Sequence, residues 1–309
     1  MKKWQRGGCI TAIVAATLSI TTSAGAQTPP APVTLTVTQL KPTVYEIEGV
    51  GSNSLIIIGK TSVIVVDAKT TAEAGKQIVA EVAKITPKPI TTAIITHSDG
   101  DHVNGLASFP AGLTIIAHEG NKKEQEAALA AGGRGAPPAD RLPTRVVTGS
   151  KETMTIDGVK VELYHYAPAH TSGDLVVYLP ELKIVATGDI IAPQRALGNP
   201  AIHPEKNGST AGWIVNAKAI AKLNADIIMP GHGRLQTKAD VEAQAKAAEE
   251  KRAKIEALVK QGKTLEEIKA AIPELPVPAD APQPGTVVGG RGAGQLTYTD
   301  VVYAELTRK

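Results

Sequence analysis

Aromatic residues supply only 3% of this 309-residue chain, with one phenylalanine and two tryptophans. Its interior must therefore be filled by Val, Ile, Leu and Ala, and a ligand pocket built on ring stacking is not expected. Cysteine is nearly absent too. The one thiol, Cys9, lies in an N-terminal stretch that reads as a removable leader. That excludes a disulfide framework and a thiolate-held structural zinc centre from the rest of the chain. Long apolar runs are also missing. "CITAIVAATLSI" (9–20) is the longest candidate and is too short for a comfortable membrane span. Nor is there an excess of one charge outside the leader. Of 33 basic residues, Lys2, Lys3 and Arg6 fall before residue 27, leaving 30 against 30 acidic ones. A formally neutral protein offers no electrostatic case for binding nucleic acid.

The first 26 residues have the parts of an export signal: a basic start, the apolar run, and the small-residue "AGA" at 24–26. A periplasmic or secreted protein without a membrane anchor after cleavage is expected. A Pro-rich lead-in, 27–32, follows, and 33–309 is expected to fold as one domain with a helical, Pro-rich extension from about 273. Within it, β-branched runs at 33–40, 44–49, 54–59 and 62–67 are separated by turn residues, as strands require. Helix spacing appears at about 70–86, a short strand at 90–96, a strand at 113–119 and a helix at 121–131. The second half repeats the scheme. Strands are expected at 144–149, 152–158, 159–167, 174–180 and 183–189, then helices near 209–223 and 237–260 around a strand at 225–230, and short helices at 264–272 and 297–306. Strands followed by helices, twice over, imply a layered α/β domain with two β-rich halves and helices outside.

The chemistry is concentrated where strands stop. "ITHSDGDHVNG" (95–105) carries His97, Asp99, Asp101 and His102 within six positions. "PAHTSGD" supplies His170, "TGD" supplies Asp189 and "PGHG" supplies His232, while Asp67 ends the run "VIVVD". Such positions hold side chains rigidly along one sheet edge, which metal coordination requires. Imidazoles and carboxylates without thiolates suit zinc, iron or manganese. His97, Asp99 and His170 can form one three-ligand site; Asp101, His102 and His232 can form a second; Asp189 can bridge them. Three protein ligands leave a coordination position open, the mark of a catalytic site.

These motifs, in this order, resemble the metallo-β-lactamase fold superfamily over nearly all of the chain beyond the leader. The resemblance implies a four-layer αββα sandwich with two divalent metal ions at one edge of the β-sandwich, zinc being the expected ion and iron or manganese compatible with the donors. It implies that Asp67 is a structural residue beneath the metal loop. It also marks a departure: position 99 is usually histidine in this family, glutamate in some diiron relatives, and aspartate here. A carboxylate still coordinates, but adds negative charge, weakens the metal as a Lewis acid and favours harder ions.

The expected function is hydrolysis of a small molecule: water activated by the metals attacks an ester, lactone, thioester or amide carbonyl, with Asp101 orienting it. β-Lactams are a weaker expectation, because metallo-β-lactamases typically present cysteine or a non-ligand where this chain has Asp189. A diiron redox protein and a non-catalytic binding protein are the alternatives. His118, His165, Asn104 and Trp213 read as structural residues. His203 and Lys206, in the polar loop "LGNPAIHPEKNGS", read as surface groups. The short Gly-rich and Pro-rich loops at 49–54, 132–141 and 193–209 read as an adjustable substrate mouth.

Overall fold

In a computed structural model, residues 1, 34–132, 138–193, 195–276 and 296–308 are described. The leader after Met1, the lead-in and residues 277–295 of the Pro-rich extension lie outside them. The first half opens with four antiparallel strands, β1 (Thr36–Lys41), β2 (Val44–Glu48), β3 (Ser54–Ile58) and β4 (Val63–Val66). Helix α1 (Ala72–Ile85) crosses over to β5 (Ile90–Ile94), which runs parallel to β4. A single helical turn, α2 (Gly100–Val103), precedes β6 (Thr114–His118), α3 (Glu119–Ala130) and β7 (Arg145–Val147). These seven strands form one mixed sheet in chain order, parallel from β4 onward.

The second sheet begins with β8 (Lys151–Ile156), β9 (Val159–Tyr164), β10 (Val176–Leu179) and β11 (Ile184–Ala186). Helix α4 (Thr210–Lys222) leads to β12 (Ile227–Met229), which pairs parallel to β11. Helices α5 (Lys238–Lys260), α6 (Leu265–Ala271) and α7 (Tyr298–Thr307) complete the described fold.

Strand periodicity decides the layers. In β3, Leu55 and Ile57 face the second sheet while Ile56 faces the helix side. In β10, Val177 and Leu179 face the first sheet while Val176 and Tyr178 face α4 and its neighbours. Both faces of each sheet are covered, so the central strands read as unbroken apolar runs. The buried inter-sheet cluster is wholly aliphatic apart from Met229. The scarcity of aromatic residues is met by close packing of branched chains. Helix α1 shows how one outer layer is specified. Thr71 caps it by accepting from the Ala74 amide at 3.1 Å, Ala74, Ile78 and Val82 form its buried stripe, and it ends before Pro87.

At the starting ends of β4 and β9, Asp157 joins the two sheets. Its carboxylate accepts from the amides and hydroxyls of both Thr61 and Ser62 at 2.6–2.9 Å, and these bonds hold its pKa down at about 2. The opposite ends of the strands carry the functional residues.

Helix α3 starts earlier than periodicity suggested, because the His118 ring caps it. Nδ1 accepts from the Gly120 amide at 3.2 Å, and the ring stacks on His165 with centroids 3.8 Å apart. Accepting requires an unprotonated Nδ1. Burial, reinforced by His165, lowers the His118 pKa from 6.5 to about 4. The unfolded chain therefore binds more protons here than the folded one between those values, so stability falls as pH drops from 6.5 towards 4. Denaturant unfolding at pH 7 and pH 5 should show this loss, and His118→Asn, which keeps a capping acceptor, should shrink it. An unchanged pH dependence in the variant would remove His118 as its source.

Candidate metal centre

Asp67 leaves β4 in the left-handed region, with φ of 60°. Its Oδ1 accepts from the Thr96 amide at 2.9 Å, and its Oδ2 accepts from the Thr96 hydroxyl at 2.8 Å and from His102 Nδ1 at 2.7 Å. All of its bonds run sideways and beneath the His/Asp loop; none of them is to a candidate metal ligand other than His102. The turn after it locks against α2, where the Ala68 amide donates to His102 O at 2.8 Å. Contact there is so close that a Cβ on Gly105 would sit 1.6 Å from the Ala68 carbonyl oxygen, so the glycine ending "HVNG" is required.

Asp99 occupies the N-cap position of α2 without making a capping bond, and Asp101 and His102 lie on its single turn. The sequence alone suggested a loop here. His170 sits after β9 in a loop tied by Asp174, which accepts from the Ala169 and Thr171 amides. Asp189 follows β11 and His232 follows β12; a Cβ on Gly231 would come 2.0 Å from Asp189 Oδ1, so glycine keeps the two turns in contact.

All seven expected residues converge. His97, Asp99 and His170 form one group whose ligand atoms lie within 4.8 Å of one another, and Asp101, His102 and His232 form another. Asp189 stands between them. Its Oδ1 is 3.3 Å from His102 Nε2 and 3.4 Å from His232 Nε2, and its Oδ2 is 3.9 Å from His170 Nε2.

The imidazoles are oriented from behind. His102 Nδ1 donates to Asp67, and His170 Nδ1 donates to Ala201 O at 3.0 Å. Thr96 Oγ1 spends its proton on Asp67, so it accepts from His97 Nδ1 at 3.1 Å. Each ring is thereby oriented with Nε2 facing the cluster, where a metal ion would take the lone pair on displacing any proton held there. His97 Nε2, His102 Nε2 and Asp189 Oδ1 are buried and have no hydrogen-bond partner. Orphaned acceptors of this kind are costly unless something satisfies them, and divalent cations fit that donor set.

Charge points the same way. Burial, followed by the neighbouring His102, drives the His97 pKa down to about 4. At His170 and His232 burial also works against protonation, yet Asp99 for the first and Asp189 and Asp101 for the second overcome it, raising them to about 9 and about 10. Three carboxylates so tightly grouped demand positive charge, which metal ions supply by displacing protons.

Two residues read as surface groups belong here instead. His203 Nε2 lies 3.3 Å from Asp99 Oδ2, and Lys206 Nζ donates to Asp99 Oδ1 and to Ser98 Oγ, the latter at 3.0 Å. The loop that carries them folds back onto His170, a long-range return that no local pattern encodes. Supports in other elements were equally hidden. Glu124 on α3 accepts from the hydroxyls of Ser98 and Ser172 at 2.5 and 2.6 Å, bracing the metal loop against the His170 loop. Asn53, in a stretch assigned to the substrate mouth, is buried and donates from Nδ2 to Pro230 O and Gly233 O around His232. Lys69 is fully buried and donates to Ile47 O at 2.6 Å and to Ser52 O, pinning both ends of that same loop. By contrast, Trp213 fills the core as expected, with Nε1 donating to Ile190 O at 2.5 Å, and His165 packs with Nδ1 on Asp174 O.

Two mixed sheets with outer helices and a His/Asp cluster at one edge define a class of metal-binding sandwich proteins. The sequence profile described as "Metallo-beta-lactamase superfamily" matches residues 47–232, and the chain belongs to that superfamily. It is 26% identical over 198 residues to a metallo-beta-lactamase type 2 from Bacillus sp. (strain 170), covering 62% of this chain and 70% of that one. It is 29% identical over 181 residues to the alpha subunit of 2,4-dinitroanisole O-demethylase from Nocardioides sp. (strain JS1661), covering 58% and 52%. Among solved structures, a stereoselective inverting sec-alkylsulfatase from Pseudomonas sp. superposes with a TM-score of 0.70 at 19% identity, over 88% of this chain and 50% of that one. A metallo-beta-lactamase from Pontibacter korlensis gives 0.58 at 19% identity, over 70% and 99%. The chain thus spans about half the length of the demethylase subunit and of the alkylsulfatase. The last two likenesses concern the fold.

Asp67→Ala should strand the buried His102 Nδ1 and the Thr96 hydroxyl. An unsatisfied buried group costs about 1–3 kcal/mol, so urea unfolding should register at least that loss. A variant as stable as the parent would show that Asp67 does not hold the site together.

Proposed function

We propose that this protein is a metal-dependent hydrolase of small molecules. The observation that carries the proposal is the set of three imidazoles locked from behind, with Nε2 of His97 and of His102 unpartnered beside the three carboxylates. His97, Asp99 and His170 would hold one divalent ion, Asp101, His102 and His232 a second, and Asp189 both; zinc is the first candidate. Such ions supply Lewis acidity, lowering the pKa of water and polarising the bond to be cut. The protein's own groups do the rest. Asp101, with Oδ2 3.0 Å from His232 Nε2, orients the attacking water and accepts its proton. Asp67 and Thr96 hold His102 and His97 in one tautomer throughout. Lys69 and Asn53 keep the 47–53 loop against the His232 turn.

The bond cleaved is an ester, lactone, thioester or amide in this proposal. Relatives bearing the names of a β-lactamase, a linear primary-alkylsulfatase and a 2,4-dinitroanisole O-demethylase extend the test panel to β-lactams, alkyl sulfates and aryl ethers. The basic and apolar leader supports export to the periplasm or medium. Elemental analysis should find about two zinc ions per chain, and a chelator should abolish hydrolysis across the panel. Two irons would favour the diiron redox alternative, and no metal after reconstitution would end the hydrolase proposal. His102→Ala and His232→Ala should each lose metal and abolish activity; full activity in either would displace the site.

A further inference from the structure

Position 99 leaves the first metal site one imidazole short of the family's usual complement. We infer that the turn formed by residues 203–206 completes it: His203 supplies the missing imidazole, and Lys206 holds Asp99 as a charge-balanced, single-oxygen ligand. The inference rests on the metal-binding proposal above.

Four observations carry it. First, His203 is wired like the other rings. Its Nδ1 meets the Glu205 carboxylate, so Nε2 is the donor that points inward. A ring braced by a carboxylate on one nitrogen and offering the other is the usual arrangement of a metal-bound histidine. Second, one oxygen of Asp99 faces three imidazoles. Asp99 Oδ2 is 3.1 Å from His170 Nε2, 3.3 Å from His203 Nε2 and 3.6 Å from His97 Nε2. His203 is the outermost of these rings, its side chain 19% exposed, and meets the group of His97, Asp99 and His170 at Asp99 Oδ2 and at the His170 ring.

Third, the two oxygens of Asp99 have separate tasks. Oδ1 is held by Lys206, which is steadied by Ser98 Oγ, and Oδ2 is left to the imidazoles. The ammonium offsets the negative charge that aspartate brings in place of a neutral histidine. Fourth, the turn is built into the fold. The His203 amide donates to His170 O at 2.8 Å, and the amides of Lys206 and Gly208 donate to His203 O at 2.9 Å. Asn207 takes a left-handed φ of 54°, and a Cβ on Gly208 would lie 2.3 Å from His170 O. His203 and His170 therefore sit on two strands of chain in contact, with their rings edge to face and centroids 4.7 Å apart.

The test is zinc binding, read without any substrate. The wild-type protein, His203→Ala and Lys206→Met are compared by competition against a chromophoric chelator, and zinc-loaded samples are examined by X-ray absorption. Removing a ligand or its bracing partner should weaken the second zinc equivalent by tenfold or more, in line with the roughly 10–100-fold losses seen when bracing partners are lost. The absorption spectrum should fall from five imidazoles shared by two zinc ions to four in His203→Ala. Should that variant fold poorly, Glu205→Ala, which alters an exposed carboxylate, should still weaken the same equivalent. Two tight zinc ions with an undiminished imidazole count in the variants would overturn this inference and leave the hydrolase proposal standing. A wild-type protein that takes up no zinc would overturn both.

Discussion

The carboxylate of Asp67 is the constraint on which the site depends. It sits at the end of a wholly buried strand, and its two oxygens bind the backbone and hydroxyl of Thr96 and the ring of His102. Through Thr96 it fixes His97 as well. One carboxylate beneath the loop thus sets the position and tautomer of two rings that face the cluster. The left-handed turn at Asp67 and Lys69, and the glycine contact at Gly105, bring the single turn of α2 down onto it. Displacing that carboxylate would move both half-sites, because His97 belongs to one and His102 to the other.

The sandwich around it divides the work by end. At one end Asp157 joins the two sheets with four short hydrogen bonds. At the other, turns leaving β4, β5, β11 and β12 place acidic and imidazole groups side by side, with glycines allowing the backbones to touch. The aliphatic packing between the sheets is rigid enough to carry such placement, because close-packed interiors transmit rather than absorb displacement. The site is thus assembled by strands distant in sequence and held by bonds that are mostly to backbone.

Much of this was legible in the sequence, for a physical reason. Strands buried on both faces, such as β3, β4 and β10, announce themselves as continuous β-branched runs, and a helix such as α1 carries its cap, stripe and stop signal locally. His97, Asp99, Asp101, His102, His170, Asp189 and His232 stood out because each follows such a strand in a short, glycine-marked turn. What escaped was settled by tertiary return. His203 and Lys206 look like ordinary polar loop residues until the loop folds back onto His170. Lys69, Glu124 and Asn53 act through carbonyls and hydroxyls contributed by other segments, and no pattern within a few residues of them signals that. The one-turn helix α2 was missed because four residues are too few to show a period.

Trp213, introduced above as a core residue, also makes the protein self-reporting. It is the tryptophan of the described residues, buried on α4, and its indole donates to the carbonyl of Ile190, the residue next to Asp189. The environment of one fluorophore is thus tied by a hydrogen bond to the backbone beside Asp189, the carboxylate that stands between the two His/Asp groups. A chain so poor in aromatic residues gives that signal little background. Its emission therefore offers an optical probe of the backbone next to Asp189, with no added label.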